Sequence, residues 1–108
     1  IDKKILFKDH RIKTQYVDQT SNKSILKLFK SLGGNFDLII DDGLHTHTAN
    51  LNLIIHSMQF LKKNGCLVIE DINLSSKSIW QTISVIVSSK YKCFLVKCKK
   101  SFIFLVYK

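Results

Sequence analysis

Two short apolar segments, each ending in a pair of acidic residues, most limit how this chain can fold. Residues 37–42 have the sequence Asp-Leu-Ile-Ile-Asp-Asp, and residues 66–71 have the sequence Cys-Leu-Val-Ile-Glu-Asp. Consecutive apolar residues are typical of strands that are buried on both faces, as in a parallel sheet. A helix-length segment separates the two runs, so we expect neighbouring parallel strands joined by a helical crossover. Their acidic ends would then meet at the edge where open α/β sheets bind ligands.

Three segments have the periodicity of amphipathic helices, with apolar residues at i, i+3, i+4 and i+7. Each follows a polar residue that can cap a helix: Ser21 or Asn22, Thr46 or Thr48, and Ser75 or Ser76. Residues 33–34 are expected to end the first helix and residues 64–65 the second. The residues predicted to face the core are Ile25, Leu28, Phe29 and Leu32; Leu51, Ile54, Ile55, Met58 and Leu61; and Ile79, Ile83 and Ile86, with Trp80 and Val87.

Further apolar segments complete an alternating order of strands and helices. Residues 11–17 alternate loosely and predict a strand, while residues 92–97 and 102–107 predict two strands joined by a short loop. The order β-α-β-α-β-α-β-β predicts an α/β fold. We expect a Rossmann-like three-layer sandwich, with a mostly parallel sheet ending in an antiparallel hairpin, as one domain over residues 1–108.

Composition narrows the range of partners. The net charge is +9, but Arg11 is the only arginine and the lysines are scattered. Arginine is the preferred reader of phosphate and guanine, so we do not expect a nucleic-acid partner. No apolar run is long enough to span a membrane, and no signal peptide is visible. Cys66, Cys93 and Cys98 lack metal-ligand spacing, so we interpret them as reduced cysteines of a cytoplasmic protein.

Ordered motifs in the chain resemble those of a known enzyme family. Residues 36–45, Phe-Asp-Leu-Ile-Ile-Asp-Asp-Gly-Leu-His, precede Leu-Lys-Lys-Asn-Gly at 61–65 and Val-Ile-Glu-Asp at 68–71. They resemble class I S-adenosylmethionine-dependent methyltransferases, in particular the group of macrocin and related sugar O-methyltransferases and cephalosporin hydroxylase-like proteins. Residues 16–20, Tyr-Val-Asp-Gln-Thr, resemble that group's Gly-Asp-Gln-Ser segment. The resemblance implies a small-molecule hydroxyl as methyl acceptor, as in a sugar; a homo-oligomer is compatible with the sequence.

The resemblance also implies roles for residues at the two strand ends. Asp42 and Asp71 match the family's carboxylates for a divalent metal such as Mg²⁺, and His45 matches the general base that takes the substrate's hydroxyl proton. A hard divalent cation held by oxygens can lower the pKa of a hydroxyl, and an imidazole suits a base near neutral pH. The first acid of each pair, Asp41 and Glu70, is expected to cap the helix that follows.

Cofactor-binding residues follow from the same resemblance. Asp18 and Gln19 match the region beside the adenine of S-adenosylmethionine, and Asp2 matches an acid that holds the ribose hydroxyls. The family's first strand and its Gly-rich loop have no counterpart here, since no Gly-x-Gly-x-Gly occurs. In the 16–20 segment, Val17 replaces the glycine that usually precedes Asp18. We therefore interpret the chain, which starts at Ile1, as a fragment.

Two other functions stay open on the sequence. One is an oxygenase of the cephalosporin hydroxylase type, in which His45, His47 and Asp42 would form a two-histidine, one-carboxylate iron site. The other is a truncated Rossmann-like domain without catalytic activity, which the missing Gly-rich loop favours. Cofactor titration and iron-dependent oxygen consumption separate these functions from methyl transfer.

Overall fold

The computed structural model describes residue 7 and residues 9–108. Three α-helices and four strands follow one another in the order α1, β1, α2, β2, α3, β3, β4. Short 3₁₀ turns precede β2 and α3. The bounds are Asn22–Leu32 for α1, Phe36–Asp41 for β1, His47–Ser57 for α2, Leu61–Ile72 for β2, Lys77–Ser88 for α3, Lys92–Lys97 for β3 and Phe102–Tyr107 for β4.

The four strands form one mixed sheet in the order β1-β2-β4-β3. Strands β1 and β2 are parallel, as predicted, with Ile39 opposite Leu67. Strand β4 is antiparallel to both of its neighbours. The predicted C-terminal hairpin is confirmed, because β3 and β4 have the predicted bounds and pair with each other. The mostly parallel sheet is not confirmed, since β1 and β2 are the one parallel pair in the described part of the chain.

The strand predicted over residues 11–17 is wrong. This segment contains an isolated bridge at Lys13 instead of a strand. Side chains satisfy backbone groups in and beside it: the Phe7 amide donates to the Thr14 hydroxyl at 2.8 Å. Likewise, the Asp18 amide donates to the Ser24 hydroxyl at 3.0 Å. Loose alternation of apolar residues therefore did not lead to pairing with the sheet.

The described helices cover one face of the sheet, so this part of the molecule has two layers and not the predicted three. Residues from all three helices join a single core cluster with the sheet. Trp80 of α3 packs on Phe104 of β4, with ring centroids 5.1 Å apart. On the opposite face, Leu38 and Ile40 of β1 are 51% and 54% exposed. The prediction that β1 is buried on both faces is therefore wrong.

The end of α2, the start of β2 and the burial of α3 differ from the sequence predictions. Helix α2 ends at Ser57, and Leu61 starts β2 instead of ending the helix. Strand β2 begins early because its first residues pair outside the predicted strand: Leu61 lies opposite Phe36, and the Asn64 amide donates to the Lys108 carbonyl at 2.9 Å. Within α3, Trp80 and Ile83 are buried as predicted, whereas Ile79 and Ile86 are exposed.

Capping at the start and end of α1 follows the sequence. The Ser21 hydroxyl accepts from the Ser24 amide, and Gly33 ends the helix at φ +82°, in the left-handed region that glycine favours. Within the described residues, no helix combines the length and the apolar character required to cross a bilayer. The three cysteines are free.

Candidate functional site

The parallel pairing of β1 and β2 brings their acidic ends to one edge of the sheet. Asp41 at the end of β1 lies opposite Ile69, two residues before Asp71. Potential ligand atoms of Asp42, His45 and Asp71 all lie within 4.8 Å of one another, and all three side chains are exposed. We call these residues the acid–histidine cluster. The structure thus brings together the three residues proposed for metal binding and proton transfer.

The backbone of Asp71 has an unusual conformation. Its φ is +51°, in the left-handed region that non-glycine residues rarely adopt. It lies where the pairing of β2 with β4 shifts register, between Ile69 and Ile72. Such an irregularity redirects the side chain of a strand residue. The local backbone strain therefore accompanies the placement of the Asp71 carboxylate beside β1.

Residues 42–45 form a loop between β1 and α2, which we call the 42–45 loop. Thr46 is the N-cap of α2, since its hydroxyl accepts from the Ala49 amide at 3.4 Å. The Thr46 amide donates to the Leu44 carbonyl at 2.8 Å, which fixes the end of the loop beside His45. His47 lies in the first turn of α2. Among the described residues it belongs to no metal-ligating cluster, so the set of two histidines and Asp42 is not assembled.

Asp41 anchors the 42–45 loop from the helix-covered face of the sheet. Its side chain is 2% exposed because it points to the helix-covered face of the sheet. The carboxylate accepts from Gln19 Nε2 at 2.8 Å, from Asn50 Nδ2 at 2.8 Å and from the Gly43 amide at 3.3 Å. The prediction that Asp41 caps α2 is wrong, since Thr46 has that role.

Glu70 does not cap a helix either. The N-cap of α3 is Ser76, and Asn73 caps the 3₁₀ turn that precedes it by accepting from the Ser75 amide at 2.9 Å. The predicted cap fails because β2 continues past Glu70 to Ile72.

A cavity of about 550 Å³ opens beside the acid–histidine cluster. Two segments line it, residues 16–19 before α1 and residues 40–44 at the end of β1. Its size is within the range of small-molecule and cofactor sites. Asp18 and Gln19, both proposed to lie near the adenine, are in its wall. Asp2, proposed for the ribose hydroxyls, lies outside the described residues.

The wall of this cavity is acidic, although the chain as a whole is basic. Asp18, Asp41 and Asp42 line it, and none of its lining residues is a lysine or arginine. Hydrogen bonds from the Thr20 side chain and then the Thr20 backbone lower the pKa of Asp18 from its ordinary value of 3.8. Asp18 is therefore ionised at neutral pH. The wall favours a ligand with positive or no charge over a polyanion.

A second cavity, of about 320 Å³, includes one residue of the cluster in its wall. Asp71 forms part of its wall together with Asn73, Leu74, Lys100 and Ser101. Asp42 lines the larger cavity and Asp71 the smaller one, so the acid–histidine cluster contributes a carboxylate to the wall of each.

Comparison with solved structures identifies a similar backbone. The MycE methyltransferase from the mycinamycin biosynthetic pathway, solved in complex with Mg and SAH, superposes with a TM-score of 0.70. The chain has a methyltransferase-like fold. The match covers 92% of this chain at 18% sequence identity and 32% of the MycE chain, so the chain spans about a third of that neighbour's length. No protein-family model and no curated protein matches the sequence.

Sequence reasoning missed Asn50. Its amide nitrogen donates to Asp41 at 2.8 Å and to the Leu44 carbonyl at 3.4 Å, so it ties α2 to both ends of the 42–45 loop. A signal was present, because Asn50 lies four residues before Ile54 and eight before Met58 on the apolar face of the predicted helix. A polar residue on such a face needs a partner, and here the partner is a buried carboxylate.

Proposed function

We propose that this chain forms the metal-binding and adenosine-binding part of an S-adenosylmethionine-dependent O-methyltransferase. The acceptor is the hydroxyl of a small molecule, as in a sugar. One observation carries the proposal: the acid–histidine cluster lies beside an acid-lined cavity at the strand ends of a methyltransferase-like sheet. The fold alone would not be enough, because one fold can support many functions.

The donor set of the cluster fits a hard divalent cation. Asp42 and Asp71 each offer a carboxylate oxygen, and both are exposed, so water can complete the coordination. Mg²⁺ is commonly bound by one or two carboxylates while it keeps several waters. Such an ion would hold the acceptor hydroxyl and lower its pKa. MycE was solved with Mg, which adds support from a protein of similar fold.

The larger cavity fits the adenosine end and the sulfonium centre of S-adenosylmethionine. Asp18 supplies an ionised acceptor for adenine or ribose donors, and the carboxylates around it favour the positive charge on sulfur. Ile40 and Tyr16 supply apolar surface for a planar ring. The SAH bound to MycE supports the same cofactor class here.

His45 has a position suited to the proton that the reaction releases. When the acceptor oxygen bonds to the methyl carbon, the carbon–sulfur bond breaks and its electron pair stays on sulfur. The hydroxyl proton must then go to a base. His45 offers a ring nitrogen within 4.8 Å of both carboxylates, and the Leu44–Thr46 hydrogen bond holds the loop beside it.

A ligand comparison tests the cofactor assignment. S-adenosylhomocysteine and ATP would each be titrated into the full chain by isothermal calorimetry in the absence of metal. Both carry adenosine, but ATP adds a polyanion that the acidic wall disfavours. We expect binding of S-adenosylhomocysteine and at least tenfold weaker binding of ATP. Equal affinities, or no binding of S-adenosylhomocysteine, would contradict the proposal.

Turnover separates the remaining functions. Methyl transfer from labelled S-adenosylmethionine to hydroxylated small molecules should require Mg²⁺ and stop when EDTA is added. Cofactor binding without transfer to any acceptor would indicate a non-catalytic domain. Oxygen consumption that depends on added iron would indicate the oxygenase.

A further inference from the structure

The carboxamide of Gln19 connects the wall of the larger cavity to the loop that carries two residues of the acid–histidine cluster. Gln19 lines the cavity. Its Oε1 accepts from the Leu44 amide at 2.6 Å, and its Nε2 donates to Asp41 at 2.8 Å. Both ends of one planar group are therefore used by β1 and the 42–45 loop.

The loop lies directly against Gln19. Gly43 separates Asp42 from Leu44, and a Cβ added at Gly43 would overlap the Gln19 carboxamide. The carboxamide is the far end of a flexible side chain, so it could move away from such a Cβ. It would then lose its hydrogen bonds to Asp41 and Leu44. Glycine at this position keeps the bridging arrangement of Gln19 possible.

The 42–45 loop has a second anchor that does not involve the cavity. Asn50 of α2 donates to Asp41 and to the Leu44 carbonyl, and it is buried. Asn50 belongs to a packed helix, whereas Gln19 belongs to a segment outside the helices and strands. The Asn52 side chain contacts the backbone carbonyls of this segment at 3.5 and 3.3 Å. Of the two anchors, Gln19 is therefore the one that a ligand in the cavity can contact.

A ligand shifts a conformational equilibrium only when it binds the two arrangements unequally. Because Gln19 lines the larger cavity while its carboxamide bridges Asp41 and Leu44, a molecule bound there would restrict movement of that side chain away from the loop. The same bridge fixes the backbone between Asp42 and His45. Occupancy of the cavity and the placement of Asp42 and His45 are thus linked through Gln19, in addition to the anchor that Asn50 provides.

We infer that Gln19 is a positioning residue through which cofactor binding tightens divalent-metal binding at the acid–histidine cluster. This inference rests on the proposed function, and it adds that the two sites are coupled and by which residue. Coupling of this kind is reciprocal, so metal tightens cofactor binding by the same factor.

Calorimetry on the full chain measures the coupling. Mn²⁺ would be titrated with and without saturating S-adenosylhomocysteine, and the titration repeated in the reverse order. We expect S-adenosylhomocysteine to tighten Mn²⁺ binding by roughly fivefold or more, with the same factor in reverse. In Gln19→Met, which keeps the side-chain length and removes both polar atoms, both ligands bind and the factor falls to about one.

Two further variants make the test specific. Gly43→Ala leaves Gln19 in place but displaces its carboxamide, so it should lose the coupling as well. Gln15→Ala changes the same residue type on the same segment, where its carboxamide faces Ser31 of α1, and it should keep the wild-type factor. Circular dichroism and thermal unfolding establish that each variant is folded.

The outcomes distinguish the inference from the proposed function. Independent binding of both ligands in the wild type, or an unchanged factor in folded Gln19→Met and Gly43→Ala, would overturn the inference and leave the function standing. Failure of S-adenosylhomocysteine to bind the wild type would overturn the function and the inference together.

Discussion

Gln19 and Asp41 are 22 positions apart in the sequence, and the Gln19 amide nitrogen donates to the Asp41 carboxylate at 2.8 Å. This hydrogen bond joins the segment before α1 to the end of β1. Asp41 is buried, whereas its neighbour Asp42 is exposed and belongs to the acid–histidine cluster. Two adjacent aspartates therefore have different tasks: the first positions the loop and the second is available to a ligand.

The different tasks of these aspartates predict different effects on stability. Asp41→Asn places an amide group against the donors of Gln19 and Asn50 and leaves at least one of them unsatisfied. We expect the free energy of unfolding to fall by about 1–3 kcal/mol. Asp42→Asn makes the same chemical change at an exposed position and should alter it by less than about 0.5 kcal/mol. Urea unfolding in metal-free buffer measures both, and equal losses would contradict the assignment.

The sequence predicted the cluster because strand order brings its residues to one edge of the sheet, although the left-handed backbone of Asp71 was not predicted. Residues that follow adjacent parallel strands must meet at one edge, so Asp42, His45 and Asp71 could be placed together before the structure was known. The roles of Asp41 and Gln19 could not, since their contact depends on how a segment without regular structure lies against the loop. Hydrophobic periodicity carries no information about such a segment.

The sequence also could not predict whether the second face of β1 would be buried or exposed. Residues 38–40 are all apolar, but only Ile39 faces the described helices, and Leu38 and Ile40 are exposed. An apolar run indicates that both faces of a strand can be buried, but it does not identify the elements that cover each face. The early start of β2 at Leu61 likewise depends on pairing with Phe36, which is distant in the sequence.

Replacement of His45 tests its role in proton transfer. His45→Ala should lower kcat by about 10²–10⁴-fold, which is the usual contribution of a general base, and leave the affinity for S-adenosylhomocysteine unchanged. Added imidazole should restore part of the lost rate. His47→Ala is the matched control, because His47 lies outside the cluster, and it should retain nearly full kcat. If His47 proved essential and His45 dispensable, the assignment of His45 as the base would be wrong.

Asp18 predicts a specific dependence of stability on pH. Hydrogen bonds from Thr20 lower the pKa of Asp18 below 3.8, so the ionised carboxylate is favoured in the folded state. Its contribution to stability is complete above pH 3.8 and is lost as pH falls through the lower folded-state pKa. The stability difference between the wild type and Asp18→Asn should therefore be constant near neutral pH and shrink in acid.

Thr20→Val provides the control for this effect. It removes the hydroxyl that is the largest cause of the lowered pKa and keeps the backbone amide that also donates to Asp18. Chemical denaturation across acidic pH should show a smaller pH dependence in this variant than in the wild type. An identical dependence in both proteins would mean that the Thr20 hydroxyl does not stabilise the carboxylate.

The residues that follow β1 and β2 are proposed to bind a divalent metal through Asp42 and Asp71. Asp42→Asn and Asp71→Asn each remove one anionic ligand while keeping the side-chain size, so each should weaken Mn²⁺ binding strongly. Glu70→Gln is the matched control, since Glu70 is adjacent to Asp71 but lies outside the cluster. It should bind Mn²⁺ with wild-type affinity.

The most direct measurement is anomalous X-ray diffraction from crystals of the chain grown with Mn²⁺ and S-adenosylhomocysteine. We expect one anomalous peak within coordination distance of carboxylate oxygens of both Asp42 and Asp71, where an ion of the Mg²⁺ type would bind. We also expect adenosine density in the cavity between residues 16–19 and 40–44. A crystal with bound S-adenosylhomocysteine but no anomalous peak at these carboxylates, or a peak elsewhere, would contradict the proposal.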